Sequence, residues 1–173
     1  MPTAPPSVTD FEHMFDLAPV SLWLEDYSAV HALFERWRGQ GVTDVEAFLR
    51  EHPEGVREYG SAIRVLKVNQ RSLTLFGATD QARLVASLDR VFRDDMFEAA
   101  LSEVRQLWNG AQEFSNQTVN YALDGRRLDV FIRGRILPGH EAHWDRVLVS
   151  LEDNTHLLEE ITRTLLHDLD SPA

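Results

Sequence analysis

The chain has no cysteine among its 173 residues, which excludes a disulfide framework, a thiolate nucleophile and a cysteine metal site, and leaves the redox compartment open. Basic residues are in short supply. Seventeen Lys and Arg stand against 28 Asp and Glu, a formal net charge of −11, whereas a surface that wraps nucleic acid or anionic lipid needs a basic face. No stretch approaches the ~20 apolar residues of a membrane span, and the first residues lack the basic and apolar regions of a signal peptide. A cytoplasmic location without membrane insertion is therefore expected. What is present is length for one domain, which buries about 70% of its unfolded surface.

The most informative stretch runs from Ile63 to Ala78, where strand periodicity changes to helix periodicity at one asparagine. Ile63 to Val68 alternates and is rich in β-branched residues. Asn69 reads as an N-cap, Leu73 and Phe76 as the stripe of a short helix, and Gly77 as its left-handed stop. Val68-Asn69 followed by Gly77 resembles the second-strand motif of the PAS domain family. Two further stretches resemble that family in the right order. Asp124-Gly125 stands at its hairpin between the third and fourth strands, and Asp153-Asn154-Thr155 at its terminal D-I-T, with Asn154 in place of the usual isoleucine.

The resemblance covers about residues 9 to 155 and implies an α+β PAS fold, a five-stranded antiparallel sheet with helices on one face. Without cysteine, the cysteinyl adduct of the family's flavin light sensors and the cysteine-tethered chromophore of its yellow photoreceptor are both excluded. Haem is not expected either, because Asp94 to Trp108, the family's long helix, carries no histidine. No cofactor is assigned. The resemblance leaves room for an unidentified small molecule.

In chain order, residues 1–8 hold Pro2, Pro5 and Pro6 and read as a disordered lead. Phe11, Met14 and Phe15 then mark a first helix opened by Thr9-Asp10. Val20 to Glu25 alternates as a strand, with Val20, Leu22 and Leu24 on one face and Ser21, Trp23 and Glu25 on the other. The family usually joins its first two strands by a tight turn, but here residues 27–62 intervene. Val30, Leu33, Phe34 and Trp37 make one helical stripe, Thr43-Asp44-Val45-Glu46 is a capping box for a second helix, and a third follows Pro53 around Val56 and Tyr59. This insert is either a lid on apolar sheet surface or a separate recognition surface. Asp80 to Phe92 and Asp94 to Trp108 read as two helices, the second with Phe97, Leu101, Val104 and Trp108 in a stripe. Paired strands flank Asp124-Gly125. Leu128, Val130 and Ile132 lie on one face of the second, and Asp129, Phe131, Arg133 and Arg135 on the other.

Candidate site residues follow from this frame. If a ligand lies between helix and sheet, Phe97, Trp108 and Phe114 are its apolar candidates and Asn116 and Arg133 its polar ones; the alternative is that the aromatics are packed core and the polar pair faces solvent. His140-Glu141-Ala142-His143 has its histidines three apart in a turn, so it lacks the spacing of a helical zinc site. No metal site is assigned. No phosphate-cradling loop and no kinase or cyclase nucleotide motif occurs, and no catalytic residue is assigned.

Beyond the signalling junction at Asp153 and Thr155, residues 156–173 put Leu157, Ile161 and Leu165 on one helical face. They resemble the family's signalling helix, which pairs with its twin. The resemblance implies a homodimer relaying to an output domain such as a histidine kinase or a diguanylate cyclase. His167-Asp168-Leu169-Asp170-Ser171-Pro172 resembles the phosphoacceptor box of histidine kinases, with Asp170 as the departure. It makes His167 a phosphoacceptor candidate; the alternative is an ordinary polar helix end stopped by Pro172. Two other classes stay open, a ligand carrier or receptor and a small cone-fold enzyme using His31 or Asp26.

Overall fold

The computed structural model describes residues 4–93 and 96–170, the last six of these by backbone alone. Five strands, β1 (Ser21–Asp26), β2 (Arg64–Val68), β3 (Glu113–Tyr121), β4 (Arg127–Ile136) and β5 (Val147–Asp153), form one antiparallel sheet in the order β2-β1-β5-β4-β3. The first two strands are neighbours despite the long insert, and β1 also pairs with β5. Four helices, α1 (Val8–Asp16), α2 (Ser28–Gly39), α3 (Val45–Glu51) and α4 (Glu54–Ala62), come before β2. Four more, α5 (Gln70–Phe76), α6 (Gln81–Val85), α7 (Leu88–Val91) and α8 (Phe97–Trp108), link β2 to β3, and α9 (Thr155–Asp170) follows β5.

Asn69 is where these elements are tied together. It is fully buried, and its Oδ1 accepts from the Leu22 and Ser72 N–H groups, each at 3.0 Å, and from Ser72 Oγ at 2.9 Å. Its Nδ2 donates to the carbonyls of Phe15 (3.1 Å) and Val20 (2.9 Å). One amide thus caps α5 and fastens the end of α1 and the start of β1 to the end of β2. Gly77 closes α5 at φ 68°, a conformation open to glycine without a Cβ penalty.

The insert leaves β1 at Asp26 and re-enters the sheet at Arg64, and these two residues are paired in the ladder. Arg64 Nη2 also donates to Asp26 Oδ2 at 2.7 Å. Between them, α2 buries Val30, Leu33, Phe34 and Trp37, α3 buries Val45 and Leu49, and α4 buries Tyr59. All belong to the same core as Trp23, Leu107 and Val149, so the insert covers the sheet. Strand alternation gives the sheet an inner face carrying Ser21, Trp23, Glu25, Phe114, Asn116, Thr118, Ile132, Gly134 and Val149. Both edges of the sheet are met by a glutamine. Gln81 accepts from Val68 N–H (2.9 Å) and donates to Leu66 O (3.1 Å) on β2, and Gln106 accepts from Ser115 N–H (3.1 Å) and donates to Ser115 O (3.0 Å) on β3.

Several boundaries differ from those read in the sequence. The disordered lead was expected through Val8, but α1 starts at Val8 because Ser7 and Asp10 form a reciprocal capping box. The first strand is displaced by one residue, to Ser21–Asp26. The helix expected over Asp80 to Phe92 is two short ones, since the Ser87 N–H turns back to Leu84 O at 3.0 Å; Leu84 and Val91 are buried while Val85 is left exposed. The long helix begins at Phe97. Asp94, Asp95 and residues 171–173 lie outside the described residues.

Candidate functional site

The space between the inner face and the covering helices holds both aromatic and acidic groups. Phe114 lies across the sheet over Gly134, where a Cβ would come within 2.0 Å of its ring. Tyr27 stacks on Phe114 with centroids 6.1 Å apart. The Tyr27 N–H is held at 2.8 Å by the carbonyl of Trp144, whose φ of 56° is unusual for a side chain of that bulk. Trp144 in turn meets His31 and Phe34 edge-on, at 5.0 and 5.7 Å.

Two carboxylates enter this space from different elements. Glu103 is on the buried side of α8 with Leu101, Val104 and Leu107, and its Oε1 accepts from Tyr27 Oη (3.1 Å) and from Tyr59 Oη. Glu25 points inward from β1, in register with Val147, and is 8% exposed. Burial, with the Glu103 charge second, pushes the Glu25 carboxyl up to about 8; the nearby Tyr27 hydroxyl, which donates to Glu103, opposes the rise. Burial also raises Glu103, to about 6, against the stabilising pull of Tyr59, Tyr27 and the nearby Asn116 amide. Both tyrosines are pushed well above the usual phenol range, by burial first and the Glu103 charge second. The inner face of β3 is polar as well. Asn116 Nδ2 and Oδ1, Thr118 Oγ1 and Asn120 Oδ1 are enclosed without a hydrogen-bond partner, a costly condition for buried polar atoms.

The sequence candidates separate on this geometry. Phe114 and Asn116 occupy successive inward positions of β3, beside the Glu103 cluster. Trp108 is half-buried at the far end of α8, edge-on to Phe34 at 5.4 Å and under the Arg38 guanidinium at 4.3 Å. Phe97 stands at the other end of that helix, about 16 Å away by helical rise, so these two do not share one cavity. Arg133 is a correction. Strand alternation sends it to the opposite face, paired with Ser115 and Ser150, where it is exposed and reaches over the Phe131 ring at 4.9 Å. Glu25, Glu103, Tyr27 and Tyr59 were not singled out in the sequence. Their one signal was a charged residue placed among core positions, Glu25 with Trp23 and Glu103 with Val104 and Leu107.

Asp26, one of the two residues named in the enzyme reading, is engaged by Ser28 and Arg64. Burial raises its carboxyl, but Ser28 and Arg64 outweigh that and hold it below the usual range; Oδ1 accepts from Ser28 N–H at 2.8 Å. His140 Nδ1 and Asp145 Oδ1 lie 2.9 Å apart in the β4–β5 turn. Among the described residues no group of three His, Asp or Glu side chains is placed to hold a metal ion, and no helix is long and apolar enough to cross a membrane.

The terminal junction is built from side chains. Asp153 Oδ1 accepts from the Thr155 N–H (3.0 Å) and hydroxyl (2.5 Å), and Thr155 Oγ1 accepts from Asp129 N–H at 2.9 Å. The Asn154 N–H donates to Asp129 O at 2.7 Å, so the first turn of α9 is fixed to both β5 and β4. Leu157, Leu158 and Ile161 are 55%, 38% and 47% exposed. The side chains of Leu165 and His167 lie outside the described residues.

No protein-family model matches this sequence, and no curated protein matches it. Solved structures do. The PAS domain of a Colwellia psychrerythraea protein superposes with a TM-score of 0.56 at 12% identity, over 86% of this chain and 98% of that one. The PAS domain of a LuxR-family transcriptional regulator from Burkholderia thailandensis, solved with ethanol, gives 0.51 at 14% identity over 83% and 96%. A light-oxygen-voltage domain from work with a flavin analogue gives 0.54 at 12% identity over 94% and 96%. With its five-stranded antiparallel sheet and flanking helices, and these superpositions at TM-scores of 0.51 to 0.56, the protein has the PAS fold.

Proposed function

We propose that this chain is a cytoplasmic sensory and dimerisation module of a bacterial signal-transduction protein, without catalytic chemistry of its own. It relays the state of its interior through α9 to an output domain such as a histidine kinase or a diguanylate cyclase. The observation that carries this reading is the junction at Asp153 and Thr155. It locks the base of α9 to two strands while leaving Leu157, Leu158 and Ile161 uncovered. A helix of this length is marginal alone in water, and an exposed leucine and isoleucine stripe favours a second copy of the same helix. Leu165 continues that stripe in the sequence. Phe114 and Asn116 are the residues through which a small molecule in the interior would be felt.

Removing residues 156–173 is expected to convert a dimer to a monomer in sedimentation while leaving the core melting transition in place. A truncated chain that is still dimeric would overturn a helix-led assembly. If His167 is the start of a phosphoacceptor box, it needs a nucleotide-binding partner. ATP alone is then expected to give no phosphohistidine, and an added histidine-kinase ATP-binding domain to label His167. Labelling at another histidine, or without the added domain, would sink that assignment.

A further inference from the structure

The two donors hydrogen-bonded within the buried acidic cluster both serve one carboxylate. Glu103 takes both tyrosine hydroxyls on a single oxygen, and Glu25, enclosed on the inner face two residues before Tyr27, is raised in part by the Glu103 charge. Neither carboxylate enters an ion pair among the described residues. The titratable groups acting on one another here are Glu25 from β1, Tyr27 from the β1–α2 corner, Tyr59 from α4 and Glu103 from α8. The Asn116 amide from β3 is their polar neighbour, while β4 and β5 present Ile136 and Val147. Two phenolic protons are enough for one carboxylate. With both ionised, Tyr27 has to serve one or the other, and like charges face each other in a low dielectric.

We propose that this cluster is a proton-operated latch on the insert: with one carboxyl proton retained it ties the β1–α2 corner and α4 to α8, and loss of that proton loosens the insert. The proton leaves Glu25 for bulk water, Tyr27 turns toward the new carboxylate, and Glu103 is left with Tyr59. The insert is the part that responds, because Tyr27 and Tyr59 are its two polar tethers to Glu103. The latch deepens the sensory reading by naming a proton as what the interior detects, and it rests on that reading for its biological use alone.

The sign follows from linkage. Both folded values, about 8 for Glu25 and about 6 for Glu103, lie above the ~4.3 of an unfolded glutamate. The closed form therefore holds protons that the unfolded chain releases. This contribution is fully present below about pH 4, declines as pH rises, and is gone above about pH 8.

The test follows amide exchange in the full chain from about pH 5 to about pH 9, corrected for its intrinsic pH dependence. Expected is a transition near pH 8 in which protection of residues 28–62 falls on the order of tenfold while that of β4 and β5 holds. Glu25→Gln is expected to abolish the transition and to keep the insert protected at about pH 9. Tyr59→Phe, which keeps the ring and removes a donor from Glu103, is expected to move the midpoint upward. A wild-type chain with no transition over this range overturns the latch, as does a Glu25→Gln chain that retains it. An unmoved midpoint in Tyr59→Phe overturns it independently if Glu25→Gln does not fold. The sensory reading is judged separately, by the association state of the chain lacking residues 156–173.

Discussion

Gly134→Ala is expected to destabilise the protein by about 2–3 kcal/mol through one added methyl group. The new Cβ would sit 2.0, 2.4 and 2.5 Å from three atoms of the Phe114 ring, far inside van der Waals contact. A ring on a flexible stem normally swings away at small cost. Phe114 has nowhere to go: it is 3% exposed and stacked under Tyr27, so it moves only by displacing the ring that holds Glu103. At this size the loss corresponds to a melting temperature lower by about 5–10 °C. Phe114→Leu in the same chain is expected to restore part of it, because the two positions are in contact and their effects do not add. A Gly134→Ala protein that melts within about a degree of the parent would refute this account of the inner face.

The second large effect is at Asn69. Asn69→Ala removes five hydrogen bonds from a fully buried site; at about 0.5–1.5 kcal/mol each, with backbone groups left unpaired, the expected loss is about 3–5 kcal/mol. Asn69→Asp separates the two halves of the amide. It keeps the acceptor toward Leu22 and Ser72 but turns a donor into an oxygen facing the carbonyls of Phe15 and Val20. That variant is expected to be much weaker than the parent at neutral pH and to recover partly in mild acid, where a protonated carboxyl again donates to one of the carbonyls. Denaturant midpoints for the three proteins at two pH values decide it. An Asp variant as stable as the parent at both pH values would show that the donor side of Asn69 contributes nothing.

Local chemistry made much of the fold legible. Asn69 and Gly77 announce a helix start and stop whatever surrounds them, and Asp124-Gly125 announces a hairpin, with Gly125 at φ 89°. Leu128, Val130 and Ile132 were grouped correctly, since their alternation is unbroken and all three are buried. The candidate site was less legible because it depends on which face of a strand turns inward. In β1 the more apolar set, Leu22 and Leu24, is only half-buried, while Ser21, Trp23 and Glu25 are enclosed. One indole outweighs two leucines here: Trp23 packs edge-on against Phe76 at 5.7 Å, and its Nε1 donates to Ser21 Oγ at 3.1 Å. The glutamate two residues along is carried in with it. Arg133 was read onto the face opposite Val130 and Ile132, where it lies, so its place among the ligand candidates ran against its own strand alternation.

The two glutamines at the sheet's borders have a further consequence for how copies of this protein meet. A strand at the margin of a sheet presents the same donor and acceptor groups to any extended peptide, and strand addition is the commonest unwanted way for β-rich proteins to associate. Gln81 occupies those groups at Leu66 and Val68, and Gln106 occupies them at Ser115. Each side-chain amide does what one peptide unit of an incoming strand would do, and a newcomer has to evict it before it gains anything. At those positions strand addition is opposed by neutral side chains. Under the proposed pairing of terminal helices, self-association closes on a pair and does not propagate.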